Sequence, residues 1–222
     1  SRKDNVRPAF TSEDWNTLIR QSRHWINRTK HPSVIRDRTM LWNYMLILAN
    51  TGIRVGEART LRWSDIRTQQ NDFSEPTVIF YVSGKTGGRE VVSRNADVLD
   101  YLARLKSLYD QPNPDGFIFA HPDGKPIKSF KKSFASLLND AGVTFDNKGN
   151  RRTIYSLRHT YATFRLTEGV TVYTLARNMG TSVAMVERFY GQTRTPDQAE
   201  ELTRMRNRSG QTGTILEVLD NR

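Results

Sequence analysis

The sequence contains no cysteine among its 222 residues. Disulfide bonds and thiolate-ligated metal sites are therefore excluded within the chain, and the absence suits a reducing cytoplasm. Histidine is also scarce, and the four that occur lie far apart, without the spacing of a metal-ligand pair: His24, His31, His121 and His159. We therefore expect neither a metal ion nor another cofactor.

Long hydrophobic runs are missing as well. The most apolar stretch, MLWNYMLILA at residues 40–49, is interrupted by Asn43 and is too short to span a bilayer. No signal peptide is visible in the sequence. These two absences argue against a membrane role and favour a cytoplasmic location.

Acidic residues are too few to balance the basic ones. The chain has 34 Lys and Arg against 23 Asp and Glu, which gives a formal net charge of +11. Ten Phe, eight Tyr and four Trp argue for a packed core and against disorder. A basic excess of this size favours a polyanionic partner, most often nucleic acid. An anionic membrane or a solvated basic surface without a partner are the alternatives.

Hydrophobic periodicity predicts a mixed α+β fold that is predominantly helical and has one small antiparallel β-sheet. Thr11 and Ser12 are cap-type residues at the start of the first helix, and Gly52 suits the C-terminal cap of the second. Two strands are expected in TVIFYVSGKTGGREVVS, around a glycine-rich turn, and a short strand in GFIFA. Further helices are expected at 33–50, 54–61, 95–110 and 128–141, with four short ones across 154–206.

The segment SGKTGG contains the GKT of a phosphate-binding loop. The loop requires a glycine where this chain has Ile79, and it requires a helix after the lysine, where GREVVS continues as a strand. We therefore reject a nucleotide-binding loop. Lys85 remains at the tip of a hairpin, where a lysine is more often a solvated charge than a catalyst.

Two arginines occupy informative positions. In TGIRVGE, Arg54 follows a buried helix and precedes Glu57 by one helical turn. It either caps that turn as a partner of Glu57 or presents a planar guanidinium fork to a phosphate. In YSLRHTYAT, Tyr155 and Arg158 are three residues apart and share a helix face. Residues of the other face are expected in the core: Ile154, Leu157, Tyr161 and Phe164.

These stretches, with MGTSVAMVERFYG, resemble the catalytic domain of tyrosine recombinases, the phage-integrase-like family, over roughly residues 10–195. The resemblance implies the fold of that DNA breaking and rejoining domain. It assigns the family's first arginine, hairpin lysine, second arginine and nucleophile to Arg54, Lys85, Arg158 and Tyr190. Two further positions depart from the family, because Tyr155 stands where a histidine is usual and Thr181 where a histidine or tryptophan is usual.

The resemblance further implies site-specific cleavage and religation of double-stranded DNA through a 3′-phosphotyrosyl intermediate, without metal or ATP. It implies a tetramer on DNA, accessory DNA-bending proteins, and integration or excision of a phage or other mobile element in a bacterial cell. The expected catalytic domain is residues 1–206, followed by a tail, residues 207–222, that docks on a neighbouring protomer. The N-terminal DNA-binding domain of relatives is expected to be absent. A type IB topoisomerase and a non-catalytic DNA-binding protein remain the alternatives.

Overall fold

A computed structural model describes residues 8–70, 76–84 and 87–190, with the side chains of Phe189 and Tyr190 left out. Helices dominate this part of the chain, as the sequence predicts. They are α1 (Ser12–Asn27), α2 (Pro32–Thr51), α3 (Val55–Ala58), α4 (Val98–Lys106), α5 (Lys131–Asp140), α6 (Ser156–Thr167), α7 (Val172–Met179) and α8 (Val183–Tyr190). One compact unit ends at Tyr190. The expected boundary between residues 206 and 207 and the tail lie outside the described residues.

The ends of the first two helices follow from their capping residues. The Thr11 hydroxyl accepts a hydrogen bond from the Asp14 amide at 3.1 Å, which confirms the predicted start of α1. At the end of α2, Gly52 has a φ of 63° and donates its amide to Leu48 O at 2.9 Å. This left-handed conformation favours glycine, which confirms the predicted cap. The chain turns at Gly52, and Arg54 lies two residues later, at the start of α3.

The sheet has three antiparallel strands in the order β1 (Ile66–Gln69), β2 (Thr77–Gly84) and β3 (Gly87–Val92). The predicted β2–β3 hairpin is confirmed, with a register that runs from Ile79 opposite Val92 to Gly84 opposite Gly87. Strand β1 is an addition to the prediction. GFIFA forms isolated bridges rather than the predicted strand, at Phe117 with Arg62 and at Ala120 with Pro126.

The core has two parts, and α6 contributes to both. The larger cluster centres on α2 and takes in Ile154 and Leu157 of the α6 region. The smaller one joins α6, α7 and α8 through Tyr161, Ala162, Leu175, Ala176, Met179 and Val186. The predicted inward face of α6 is therefore confirmed at three of its four positions, while Phe164 is only half-buried. In the described ranges, no helix combines the length and apolarity needed to cross a bilayer.

Candidate active site

Arg54 lies at the N-terminal end of α3, directly after the turn that Gly52 allows. Its Nη1 donates to Glu57 Oε1 at 2.7 Å, and its backbone amide donates to Glu57 Oε2 at 2.8 Å. Its Nη2 donates to the carbonyl of Gly180. The side chain keeps 40% exposure. The arginine is thus held by its own helix and by a distant turn, and part of its surface still faces solvent.

Glu57 is buried, at 4% exposure, and accepts hydrogen bonds from a second arginine on β3. Arg89 Nη1 lies 2.6 Å from Oε1 and Nη2 lies 2.9 Å from Oε2, so each carboxylate oxygen receives one bond from each arginine residue. Burial alone would raise the pKa of Glu57, but hydrogen bonds from Arg89 and Arg54 lower that pKa to about 2. The carboxylate is therefore ionised throughout the neutral range.

Arg158 lies in the first turn of α6 and points toward the end of α2. Its Nη1 donates to the Gly52 carbonyl, and its Nη2 donates to the Met179 carbonyl at 2.9 Å. Glycine at position 52 allows the end of α2 to lie against α6, because a Cβ there would come within 2.3 Å of Tyr161 Cδ1. The cap of α2 and the end of α7 together set the position of this guanidinium.

Three arginines from separate elements converge on the C-terminal end of α7. The consecutive carbonyls of Asn178, Met179 and Gly180 accept from Arg89 Nε at 3.4 Å, from Arg158 Nη2 and from Arg54 Nη2. Carbonyls at a helix C-terminus have no partner within the helix and bear partial negative charge, which attracts guanidinium groups. The fold therefore gathers the two arginines singled out in the sequence, 104 positions apart, at one turn.

Thr181 belongs to this turn. Gly180 has a φ of 62°, and the Thr181 amide donates to Ala176 O at 3.0 Å, which closes the end of α7. Ser182 then caps α8, because its hydroxyl accepts from the Met185 amide at 3.2 Å. Thr181 thus adjoins the carbonyl that Arg54 contacts, between α7 and the helix that ends at Tyr190.

Tyr155 occupies the N-terminal cap position of α6, with 37% of the residue exposed. It lines a cleft of about 330 Å³ together with Lys131 and Arg151. Tyr155 therefore lies at the start of the helix that carries Arg158, beside this cleft.

Two of the predicted residues are incompletely seen. Lys85 lies outside the described residues, between the paired ends of β2 and β3. Tyr190 is the last residue of α8, and its side chain also lies outside the description. The catalytic assignments of all six residues remain predictions: Arg54, Lys85, Tyr155, Arg158, Thr181 and Tyr190.

Sequence reasoning missed Arg89 and Asn178. The Asn178 side chain donates to Val92 O at 3.0 Å and accepts from the Val92 amide at 2.8 Å, so it pairs with the edge of β3 as another strand would. It also donates to the Tyr161 hydroxyl at 2.8 Å. A signal for Arg89 exists in the alternation of β3, which puts it on the face of buried Val91. An arginine on an inward face requires a carboxylate or carbonyl partner.

Within the described part of the chain, no group of three or more His, Asp or Glu side chains is arranged to hold a metal ion. The chemistry that the arrangement supports is electrostatic. Guanidinium groups stay protonated at any physiological pH and bind the oxygens of a phosphodiester through planar donors.

Comparisons with known proteins agree with this geometry. The family model described as the phage integrase family matches residues 9–195. The fold is similar to the XerH site-specific recombinase bound to its difH substrate, with a TM-score of 0.67 and 16% identity over 92% of this chain and 55% of that one. XerA recombinase gives a TM-score of 0.62 and 22% identity, over 92% and 67%. A lambda integrase tetramer bound to a Holliday junction gives 0.57 and 16%, over 85% and 50%.

At these identities the structural matches show the fold, and the chain spans about half the length of the XerH chain that it matches. No curated protein sequence matches the chain. The family model covers most of the chain, and the fold is that of the tyrosine recombinase catalytic domains. The chain belongs to the phage integrase family.

Proposed function

We propose that the chain is the catalytic domain of a site-specific DNA recombinase, an integrase of a phage or other mobile element. One observation supports this proposal most strongly. Arg54 and Arg158 donate to the adjacent carbonyls of Gly180 and Met179, at the turn that leads into the helix ending at Tyr190. Two guanidinium groups, which we propose bind phosphate, are thereby held beside the element that bears the proposed nucleophile.

The proposed reaction starts with attack of the Tyr190 hydroxyl on the scissile phosphorus. The Tyr190 hydroxyl loses its proton to solvent water as its oxygen bonds to phosphorus. The P–O5′ bond breaks, the 5′ oxygen takes a proton from the Lys85 ammonium, and a 3′-phosphotyrosyl ester remains. Arg54 and Arg158 bind the non-bridging oxygens and stabilise the charge that grows there. The ester conserves the energy of the phosphodiester, so that attack by a 5′ hydroxyl religates DNA without ATP.

Tyr155 and Thr181 have supporting roles in this proposal. A phenol donates a hydrogen bond to a phosphate oxygen but accepts protons less readily than imidazole does. The threonine hydroxyl is a second donor of the same kind.

The proposed partner is double-stranded DNA, on which the protein assembles as a tetramer, with accessory DNA-bending proteins, in a bacterial cytoplasm. The net charge of +11 supports a polyanionic partner. XerH, which is similar in fold, is bound to its difH substrate, and lambda integrase forms a tetramer bound to a Holliday junction. We further propose that the domain extends to residue 206 and that residues 207–222 dock on a neighbouring protomer.

The test is a library of nicked duplexes with a randomised centre, in which cleavage releases a short strand and traps the protein on DNA. Sequencing of the trapped duplexes identifies the target. We expect a covalent adduct that survives denaturing electrophoresis and forms in EDTA. Tyr190→Phe should bind the recovered duplex without forming the adduct, while Tyr173→Phe, an exposed tyrosine of α7, should form it normally.

No adduct with any duplex would contradict the proposal and leave a non-catalytic DNA-binding protein. A strict requirement for magnesium would indicate a metal-dependent nuclease. Relaxation of supercoiled DNA without exchange of partner strands would favour a topoisomerase.

A further inference from the structure

Arg89 contacts both anchors of Arg54. The first anchor is Glu57, whose two oxygens receive the Arg89 fork at 2.6 and 2.9 Å. The second is Gly180, whose carbonyl accepts from Arg54 and whose Cα lies against the Arg89 side chain, since a Cβ there would come within 2.5 Å of Arg89 Nε. Arg89 thus reaches both anchors from β3, a strand separate from the helix that Arg54 begins.

Position and burial suit Arg89 to a role without direct phosphate contact. Its side chain is 18% exposed, against 40% for Arg54. All three of its donor nitrogens have protein acceptors, because Nε donates to Asn178 O at 3.4 Å and both Nη atoms donate to Glu57. Arg54, by contrast, donates one Nη group to Glu57 and the other to Gly180, and part of its side chain stays exposed.

The electrostatic consequence concerns the charge left for a phosphate. A buried carboxylate with Arg54 as its only cation would form a neutral pair and would draw both Nη groups toward itself. Arg89 provides a second positive charge at the same carboxylate. The group of Arg54, Glu57 and Arg89 then keeps one net positive charge, and the Arg54 Nη2 remains directed at the α7 turn.

We propose that Arg89 is a positioning residue for DNA cleavage. Through its contacts with Glu57 and Gly180, Arg89 holds the Arg54 guanidinium in a fixed orientation and leaves the Arg54 charge available to the scissile phosphate. The proposal rests on the proposed function of the same site.

The test compares single-turnover cleavage at saturating protein with DNA affinity, on the duplex recovered from the trapping library. Arg89→Gln should slow cleavage about ten- to hundredfold, because a displaced donor loses most of its stabilisation of the transition state, and should change the dissociation constant less than about threefold. Arg89→Lys keeps the charge without the fork and should recover part of the rate. Arg67→Met is the matched control, since Arg67 pairs with Glu90 at 2.7 Å on the exposed part of the same sheet.

A second substrate separates positioning from general destabilisation. It bears a methylphosphonate at the scissile position, in which a methyl group replaces one non-bridging oxygen and removes the negative charge. A guanidinium that neutralises this charge matters less on the neutral substrate, so the defects of Arg54→Ala and Arg89→Gln should both shrink about fivefold or more there. Thermal unfolding of each variant shows whether it is folded. If Arg89→Gln is unfolded, Arg89→Lys is compared with the unsubstituted protein in its place.

Parental rates for Arg89→Gln and Arg89→Lys would overturn the proposal. Equal losses on the phosphate and methylphosphonate substrates would also overturn it, since they indicate a structural effect alone. If the unsubstituted protein forms no adduct, the proposed function fails first, before any variant is compared.

Discussion

Gly52→Ala is expected to disturb the candidate active site from a position that bears no functional group. Gly52 has a φ of 63°, and its carbonyl accepts from Arg158. An alanine Cβ would lie 2.3 Å from Tyr161 Cδ1 and 2.7 Å from Cε1, in a ring that is only 3% exposed. The substitution therefore combines backbone strain with a steric clash inside the core.

A control substitution separates the backbone strain from the steric clash. An alanine in the left-handed region costs about 1–2 kcal/mol, and overpacking of a core costs about 1–3 kcal/mol. Gly142→Ala is the matched control, since Gly142 has a φ of 70° and a Cβ there would have no other atom within 4 Å. We expect the free energy of unfolding to fall by about 1–2 kcal/mol in the control and by about 2–5 kcal/mol in Gly52→Ala.

The assay is urea denaturation of both variants, extended to a double-mutant cycle with Tyr161→Ala, which removes the clashing Cγ and Cδ1 atoms. If the ring causes the clash, Gly52→Ala should be less destabilising in a protein that already carries Tyr161→Ala, by about 0.5–3 kcal/mol. Cleavage should also slow about ten- to hundredfold in Gly52→Ala, because the carbonyl that holds Arg158 moves. Equal destabilisation by the two glycine substitutions, or additive energies in the cycle, would refute the reasoning.

Three further predictions concern the same region and the charge of the chain. Tyr155→Phe should slow single-turnover cleavage by about one to two orders of magnitude and Arg158→Ala by more; a parental rate for the phenylalanine variant would assign Tyr155 to the scaffold. The pKa of Glu57 is lowered from 4.5 to about 2, so its stabilising contribution is complete above pH 4.5 and is lost as pH falls toward 2. Urea titrations should therefore show the stability of the unsubstituted protein and Glu57→Gln converging across that interval, and a constant difference would contradict the shift. DNA affinity, measured by anisotropy, should fall steeply between low and physiological salt, whereas a flat dependence would remove the argument from charge.

The parts of the fold set by local chemistry were predictable from the sequence. Thr11 and Gly52 fix helix ends through bonds to neighbouring residues, and apolar alternation identifies the β2–β3 hairpin. Strand β1, IRTQ, was not predictable, because three of its four residues are exposed and no alternation marks it. Its structure comes from pairing with β2, which is a tertiary contact.

The same distinction holds at the site. Arg54 and Arg158 were identified because they sit in recognisable motifs, and Glu57 because it follows Arg54 by one turn. Arg89 was missed since its partners are distant, 32 residues away at Glu57 and 89 at Asn178. The packing of β3 against α7, and of the neighbouring β2 against α3, explains why an arginine of a hairpin is largely buried.

The end of α7 explains how one fold holds several positive charges close together. Arg89, Arg158 and Arg54 donate to three consecutive carbonyls there. Each carbonyl is a permanent dipole fixed by the helix, so it stabilises a guanidinium without the negative charge that a carboxylate would bring. Glu57 already pairs with Arg54 and Arg89, and further carboxylates would neutralise the remaining positive charge. Carbonyls orient the arginines and leave that charge available to an anion. The α7 turn therefore acts as a template for the arginines, and the chain continues from it into the helix that ends at Tyr190.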